Sequence, residues 1–282
     1  MREERLKKMT EELQKTNEDA IQKGNLLEFK NKEIMDSIDY AKNIQKAILP
    51  KVKDLQNVFV DSFLFYRPKD VVSGDFFFIH ERGDEVVLAA VDCTGHGVPG
   101  AMMTVIGHSQ LKEIVQQCEN LDSAKILNDL DLRVRQILQQ RDDTDGNNDG
   151  MDMALIVFNK ETLHVQFSGA NRLLYLIREG VLTKYSSPSI PIGGSQFDNK
   201  VFEKDEIQLQ SGDQMYLFSD GYADQFGGRF GKKYMIKRFN DQLKSMSYLS
   251  LNDQAREIRI AHDYWKGQEE QVDDILIIGV KV

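Results

Sequence analysis

"VVLAAVDCTGHGVPGAMMTVIG" (86–107) changes character halfway through. Six apolar residues end at Asp92, then Cys93, Thr94 and a Gly-His-Gly turn follow, and Pro99 opens a run with helical spacing. A short unbroken apolar run bounded by turn residues reads as a strand buried on both faces. A carboxylate closing such a strand is unfavourable unless its charge finds a partner. The loop after it, with almost no side chains, leaves backbone free to approach whatever that partner is.

Working outward, strands dominate from about residue 57. "NVFVDSFLFYRP", "GDFFFIHERGDEVVLAAVD", "MDMALIVFNKETLHVQFSGANRLLYLIREGVLTKY", "KVFEKDEIQLQSGDQMYLFSD" and "DDILIIGVKV" are β-rich runs broken by Gly, Asn, Asp and Pro. "ETLHVQF" alternates cleanly, and "REG" reads as a tight hairpin. Helical patterns come in two pairs, "VPGAMMTVIGHSQLKEIVQQC" with "SAKILNDLDLRVRQILQQ", and "GKKYMIKRFNDQLKSM" with "NDQAREIRIAHDYW". Hairpin-linked strands with helices gathered in blocks predict an α+β domain whose helices cover sheet faces.

The first 49 residues differ. They hold one glycine, Gly24, and no proline until Pro50. Every seventh residue from Leu6 is apolar (Leu6, Leu13, Ala20, Leu27, Ile34, Ala41, Ile48), whereas the other seam positions mix Met9 and Ile44 with Thr16, Lys23, Lys30 and Ser37. One good and one poor core position predict a coiled coil of modest strength, and hence a homodimer, the alternative being a single amphipathic helix packed on its own domain. Pro50 stops the helix. The expected organisation is a regulatory helix over 1–50 and a domain over 57–282.

Composition narrows the function classes. A net charge of −9 argues against a nucleic-acid binder. No apolar stretch approaches the ~18 residues of a membrane span, and the charged N-terminus is not a secretory signal. Two cysteines make no disulfide framework, so a reducing, cytoplasmic setting is expected.

Four acidic residues sit at edges of apolar strands: Asp75 before "FFFI", Asp92 after "VVLAAV", Asp220 after "QMYLFS", and Asp273, with Asp274, before "ILIIGV". A single strand-end Asp is usually a turn residue; four in one context suggest a shared cluster. No Arg or Lys falls within "VSGDFF", "AVDCTGHG", "LFSDGYAD" or "VDDILI", so the expected cationic partner is metal. Carboxylate and carbonyl oxygens suit Mg²⁺ or Mn²⁺, and two such ions can activate a water and clamp phosphoryl oxygens. The backbone carbonyl of Cys93 is a further candidate ligand.

The motifs "VSGDFFF", "VVLAAVDCTGHGVPGAMMT", "DGMDMALIVF", "FSGANRLLYLIREG", "PIGG", "GDQMYLFSDGYADQFGG" and "DDILIIGV", in this order, resemble the SpoIIE/RsbU branch of the metal-dependent serine/threonine protein phosphatases, the PPM family. "DSIDYAKNIQKAILP" is similar to the helical linker that precedes the domain in that branch. The resemblance implies an αββα sandwich, two antiparallel sheets flanked by helices, with a binuclear Mn²⁺/Mg²⁺ site between them. It implies that Asp75 bridges the metals, Asp92 and the Cys93 carbonyl hold one, and Asp220 and Asp273 the other. The reaction would be direct attack of metal-bound water on phosphoserine or phosphothreonine, with substrates of the phosphorylated anti-sigma-factor-antagonist type and control through the preceding helix. Leu276 replaces the Thr that commonly follows the paired aspartates. The phosphate-binding Arg of other branches has no match in these motifs.

His96, in the Gly-His-Gly turn, is a candidate acid for the leaving oxygen. His108 and His164 read as structural, and Cys93 lacks the base a nucleophilic thiol needs. Asp143, Asp145 and Asn147 begin like a calcium loop, but Asn148 and Ala154 stand where Gly and Glu are required. Asp152 is a candidate for an additional weak metal site, and Arg229, Lys232 and Lys233 mark a glycine-rich flap. The rival reading is a non-catalytic dimeric scaffold of the same fold, against which the four intact aspartates weigh.

Overall fold

The computed structural model describes residues 1–59, 61–140, 148–195 and 200–282; the calcium-like loop at Asp143, Asp145 and Asn147 lies outside them. The chain forms two units, Met1–Asn43 and Ile44–Val282. Helix α1 runs Arg2–Ile48, with Glu3 and Glu4 in its first turn where the helix dipole favours acid. It ends before Pro50, as the sequence predicts. Leu6, Leu13, Leu27 and Ile34, four of the heptad residues, are exposed along it. Among the described residues no helix is long and apolar enough to cross a membrane.

In the second unit a short α2 (Val52–Val58) leads into β1 (Asp61–Arg67), β2 (Asp75–Arg82) and β3 (Glu85–Cys93). The helical pair α3 (Gly97–Gln117) and α4 (Ser123–Ile137) follows, then β4 (Gly150–Asn159), β5 (His164–Ala170), β6 (Leu174–Arg178), β7 (Val181–Tyr185), β8 (Ile192–Gly193), β9 (Asp205–Gln208) and β10 (Gln214–Phe218). The short α5 (Gly221–Asp224), the ribbon β11 (Phe226–Gly227) and β12 (Lys232–Lys233), the pair α6 (Ile236–Met246) and α7 (Leu251–Lys266), and β13 (Ile275–Lys281) complete it.

Among the described residues one sheet runs β1-β13-β10-β6-β7 and the other β2-β3-β4-β5-β9, with β8 on β4. All ladders between these strands are antiparallel. Alternation along β3 shows how the layers stack. Val87, Ala89 and Val91 join Leu111, Ile114, Leu127 and Leu130 of α3 and α4, whereas Val86, Leu88 and Ala90 join Leu217, Leu276 and Ile278 of the opposing sheet. The outer face of that second sheet, with Phe65, Tyr216 and Ile277, packs on Phe239, Leu243 and Ile258 of α6 and α7. The result is the expected αββα sandwich, and β3 is buried on both sides because both its neighbours are apolar. The "REG" hairpin is present too: Glu179 and Gly180 both take positive φ (50° and 78°), the geometry of a two-residue turn.

Candidate active site

Register decides which aspartates meet. Asp75 pairs with Asp92 across β2 and β3, and Asp92 with Asp152 across β3 and β4, so the three stand in one row at one end of the sheet. Side chains along a strand alternate between faces. Asp92 therefore shares the inter-sheet face with Val86, Leu88 and Ala90. The opposing sheet brings Ser219 and Asp220 from the end of β10, and Asp273 and Asp274 from the start of β13. Asp92, Asp152, Asp220 and Asp273 line one pocket with Cys93, Thr94, Gly95 and His96.

Each carboxylate has its own setting. Asp75 is 2% exposed; its Oδ2 accepts from Ser219 Oγ at 2.5 Å, and its backbone N–H donates to Ser73 Oγ at 3.0 Å. Asp274, identical to its neighbour by sequence, turns away from the pocket. It accepts from the backbone N–H of Lys69 and of Gly74, both at 2.7 Å, and so braces the start of β2. Asp273 stays in the pocket.

Glycines let backbone close in. A Cβ on Gly74 would lie 2.5 Å from the Gly95 carbonyl oxygen and 3.2 Å from that of Cys93, and a Cβ on Gly100 2.3 Å from the Gly95 oxygen. The Thr104 hydroxyl, on α3, is within reach of the carbonyls of Ser73, Gly74 and Gly100 at 2.9–3.1 Å. Gln45, in the last turn of α1 and part of the second unit, is buried: its Nε2 donates to the Ser73 carbonyl at 2.7 Å and its Oε1 accepts from the Ser73 N–H at 3.3 Å.

His96 stands at the N-terminus of α3, half-exposed, with Nδ1 2.6 Å from Asp70 Oδ2 and no capping bond to the helix. It is thus not the turn-capping histidine that its position permits. His108 is buried against Phe76 and Phe78, with burial pushing its pKa down to about 4, and serves the core. Cys93 is buried too, and its thiol is pushed well up by that burial, then by the charges of Asp92 and Asp75. No thiolate nucleophile arises there.

One residue the sequence reading missed stands at the centre. The expectation that nothing but metal would neutralise the carboxylates is corrected by Arg172, whose Nη2 lies 2.5 Å from Asp92, 2.8 Å from Asp220 and 3.2 Å from Asp152. It comes from the β5–β6 connection, outside every aspartate-bearing motif. Asn171 before it takes φ +56°, a left-handed conformation that Asn tolerates, and donates from Nδ2 to Asp152 Oδ2 at 2.8 Å. The local signal was an Asn-Arg pair breaking an apolar run at a strand end.

The cluster carries more negative charge than one Arg offsets. Asp75 is pushed well up, first by burial and then by Asp92. Asp92 is pushed up to about 7 by burial, against the pull of Arg172. Burial likewise raises Asp152 and Asp273. The donor set, hard oxygens around an excess of negative charge, fits divalent Mg²⁺ or Mn²⁺ in kind. Among the described residues, however, no three acidic, imidazole or thiol groups are gathered closely enough to hold a metal as they stand.

A pH dependence follows. Asp92 titrates near 7 when folded, against an ordinary value of 3.8, so between these limits the folded protein binds more protons than the unfolded chain. Stability must then fall as pH rises through that window, the contribution being complete only below about pH 4. Thermal unfolding in EDTA should show a lower Tm at pH 8 than at pH 5.5, and Mn²⁺ should flatten the slope. An EDTA profile that rises with pH would contradict this account.

A family model described as stage II sporulation protein E (SpoIIE) matches residues 82–282. The fold is similar to that of the SiaA-PP2C domain of Pseudomonas aeruginosa, with 31% identity, a TM-score of 0.80, and 89% of this chain and 98% of that one covered. The phosphatase domain of SpoIIE from Bacillus subtilis, solved with a fragment of its regulatory domain, matches at 18% identity and TM-score 0.62 over 79% of this chain and 63% of that one. RsbX solved in complex with magnesium matches at 15% identity and TM-score 0.55, covering 78% and 94%. No curated protein matches at a significant level of sequence similarity.

Proposed function

Since the chain belongs to the SpoIIE family of PP2C-type serine/threonine phosphatases, we propose that it dephosphorylates phosphoserine or phosphothreonine on a signalling protein of the anti-sigma-factor-antagonist type. PP2C phosphatases are generally metal-dependent. In this reading Asp75, Asp92 and the Cys93 carbonyl, with Asp220 and Asp273 from the facing sheet, would hold the Mn²⁺ or Mg²⁺ ions. The observation that carries it is the convergence of these aspartates, from facing sheets, on one pocket beside a buried Asp75.

Bound ions would supply an activated water at neutral pH and positive charge for the phosphoryl oxygens. The chain's own residues do the rest. Ser219 orients Asp75 by donating to one of its oxygens, and the Leu276 N–H fixes Ser219 by donating to Oγ at 2.9 Å. Asp70 holds His96 by Nδ1, leaving Nε2 to carry a proton to the departing serine oxygen. Gly95 and Gly97, both at positive φ, keep the loop before α3 open to a bulky phosphoprotein.

Regulation is read into α1. Its exposed heptad residues suit a homodimeric coil, and Gln45 ties its last turn to the strand that delivers Asp75. A change of register in the coil would reach the site through that amide.

The test is Mn²⁺-dependent hydrolysis of p-nitrophenyl phosphate and of a phosphoserine peptide by the full chain, with light scattering expected to give twice the chain mass. Asp220→Asn should lower the rate about a hundredfold, a loss of ~2.7 kcal/mol in barrier terms. Absence of hydrolysis by a chain shown to bind Mn²⁺ would favour the scaffold reading.

A further inference from the structure

Arg172 is held in an unusual way. Arginine among carboxylates commonly uses its planar fork, two parallel N–H groups on two oxygens. Here the Nη2 nitrogen alone gathers Asp92, Asp152 and Asp220, and Nε is buried with no hydrogen-bond partner. A fork optimised for structure would not leave that donor orphaned at a cost in desolvation. The Nη2 nitrogen behaves as a point charge, drawing on the oxygens that a hard cation would use.

Arg172 and a divalent cation would compete for the same carboxylates. A Mg²⁺-like ion needs carboxylate oxygens at about 2.0–2.1 Å, and Asp92 Oδ2 and Asp220 Oδ2 already lie within 2.8 Å of Nη2. The absence, among the described residues, of a ready chelating group is the other side of the same fact. The loop that carries Arg172 has an anchor outside the cluster, the Asn171 N–H donating to the Pro188 carbonyl at 3.0 Å, so the backbone need not follow the guanidinium out.

We propose that Arg172 is a built-in counter-ion which must leave Asp92 and Asp220 before a divalent cation is held there, so that it sets the metal affinity of the enzyme. It rests on the reading of this cluster as the metal site. In the metal-free protein the guanidinium keeps the carboxylates from repelling one another; on metal entry it gives up the pocket floor. It is a positioning residue for the metal, acting through the ligands.

Calorimetric titration of Mn²⁺ into metal-free full chain tests it, without reference to turnover. Arg172→Met, near in length and uncharged, should bind Mn²⁺ at least tenfold more tightly than wild type, and Arg172→Lys should stay within about threefold of it. Arg172→Gln repeats the test if the methionine variant fails to fold. Thermal unfolding gives the matching readout: the neutral variants should melt below wild type in EDTA and close to it in saturating Mn²⁺. Unchanged or weaker Mn²⁺ binding in the neutral variants would overturn the proposal and leave the metal-site reading standing. No Mn²⁺ binding by wild type or variants would overturn both.

Discussion

Asp75→Asn is expected to cut Mn²⁺-dependent hydrolysis by about a thousandfold or more, and yet to make the metal-free protein more stable. The two effects have one cause. Asp75 is 2% exposed and faces Asp92 across the β2–β3 ladder. Burial, then that neighbour's charge, pushes its carboxyl well up from the ordinary range. An amide of the same shape still accepts from Ser219 Oγ but has no charge to desolvate. The gain in EDTA should be on the order of 1 kcal/mol, a few degrees in Tm. Catalysis should lose far more, because in the proposed site this carboxylate would help hold the metal ions, whose charge would contribute several kcal/mol at the transition state. Differential scanning calorimetry in EDTA, beside rates in Mn²⁺, separates the effects. Lower stability of Asp75→Asn in EDTA would mean that the bond from Ser219, stronger to a carboxylate than to an amide, outweighs the burial and repulsion it works against.

The second large effect is structural. Gly100→Ala adds one methyl group 2.3 Å from the Gly95 oxygen and 2.9 Å from the Gly74 Cα. Each nearby atom belongs to backbone, so no side chain can rotate aside. The first turn of α3 must lift from the loop that follows Cys93 and from the strand start that delivers Asp75. A cost of about 3 kcal/mol is expected from overpacking at so rigid a point, roughly 10 °C in Tm for a unit of this size. Activity should fall at least tenfold even well below the new Tm, since both flanks of the aspartate pocket move. Gly24→Ala is the control: nothing lies within 4 Å of the added methyl, and it should stabilise the exposed helix by up to ~1 kcal/mol. A Gly100→Ala protein with wild-type Tm would show that α3 adjusts freely.

These expectations separate what the sequence discloses from what it withholds. Strand blocks, the paired helices and the Glu179–Gly180 turn were legible because each is written locally, in period and turn chemistry. The continuous apolar run of β3 was legible as a doubly buried strand for the same reason. Register was not: that Asp75, Asp92 and Asp152 form one row depends on hairpin lengths and on which residues pair across the sheet. Asp273 and Asp274 look alike in the chain, and only the position of the Lys69 and Gly74 amides gives one to the pocket and the other to the scaffold. Arg172 was missed since a search for cations within the aspartate motifs looks along the chain. It lies 80 residues from Asp92 and reaches it through space.

Strand alternation has a last consequence, for oxidants. Asp92 turns to the inter-sheet face, and Cys93, one residue on, turns to the helix-covered core, its thiol held protonated. Peroxide attacks cysteine as thiolate, so an enzyme whose nucleophile is a cysteine is silenced by the same chemistry that makes it work. Here a thiol sits beside the carboxylates without taking part, sealed and unreactive. If the proposed aspartate chemistry runs the reaction, hydrolysis should continue at peroxide levels that would stop a cysteine-based phosphatase.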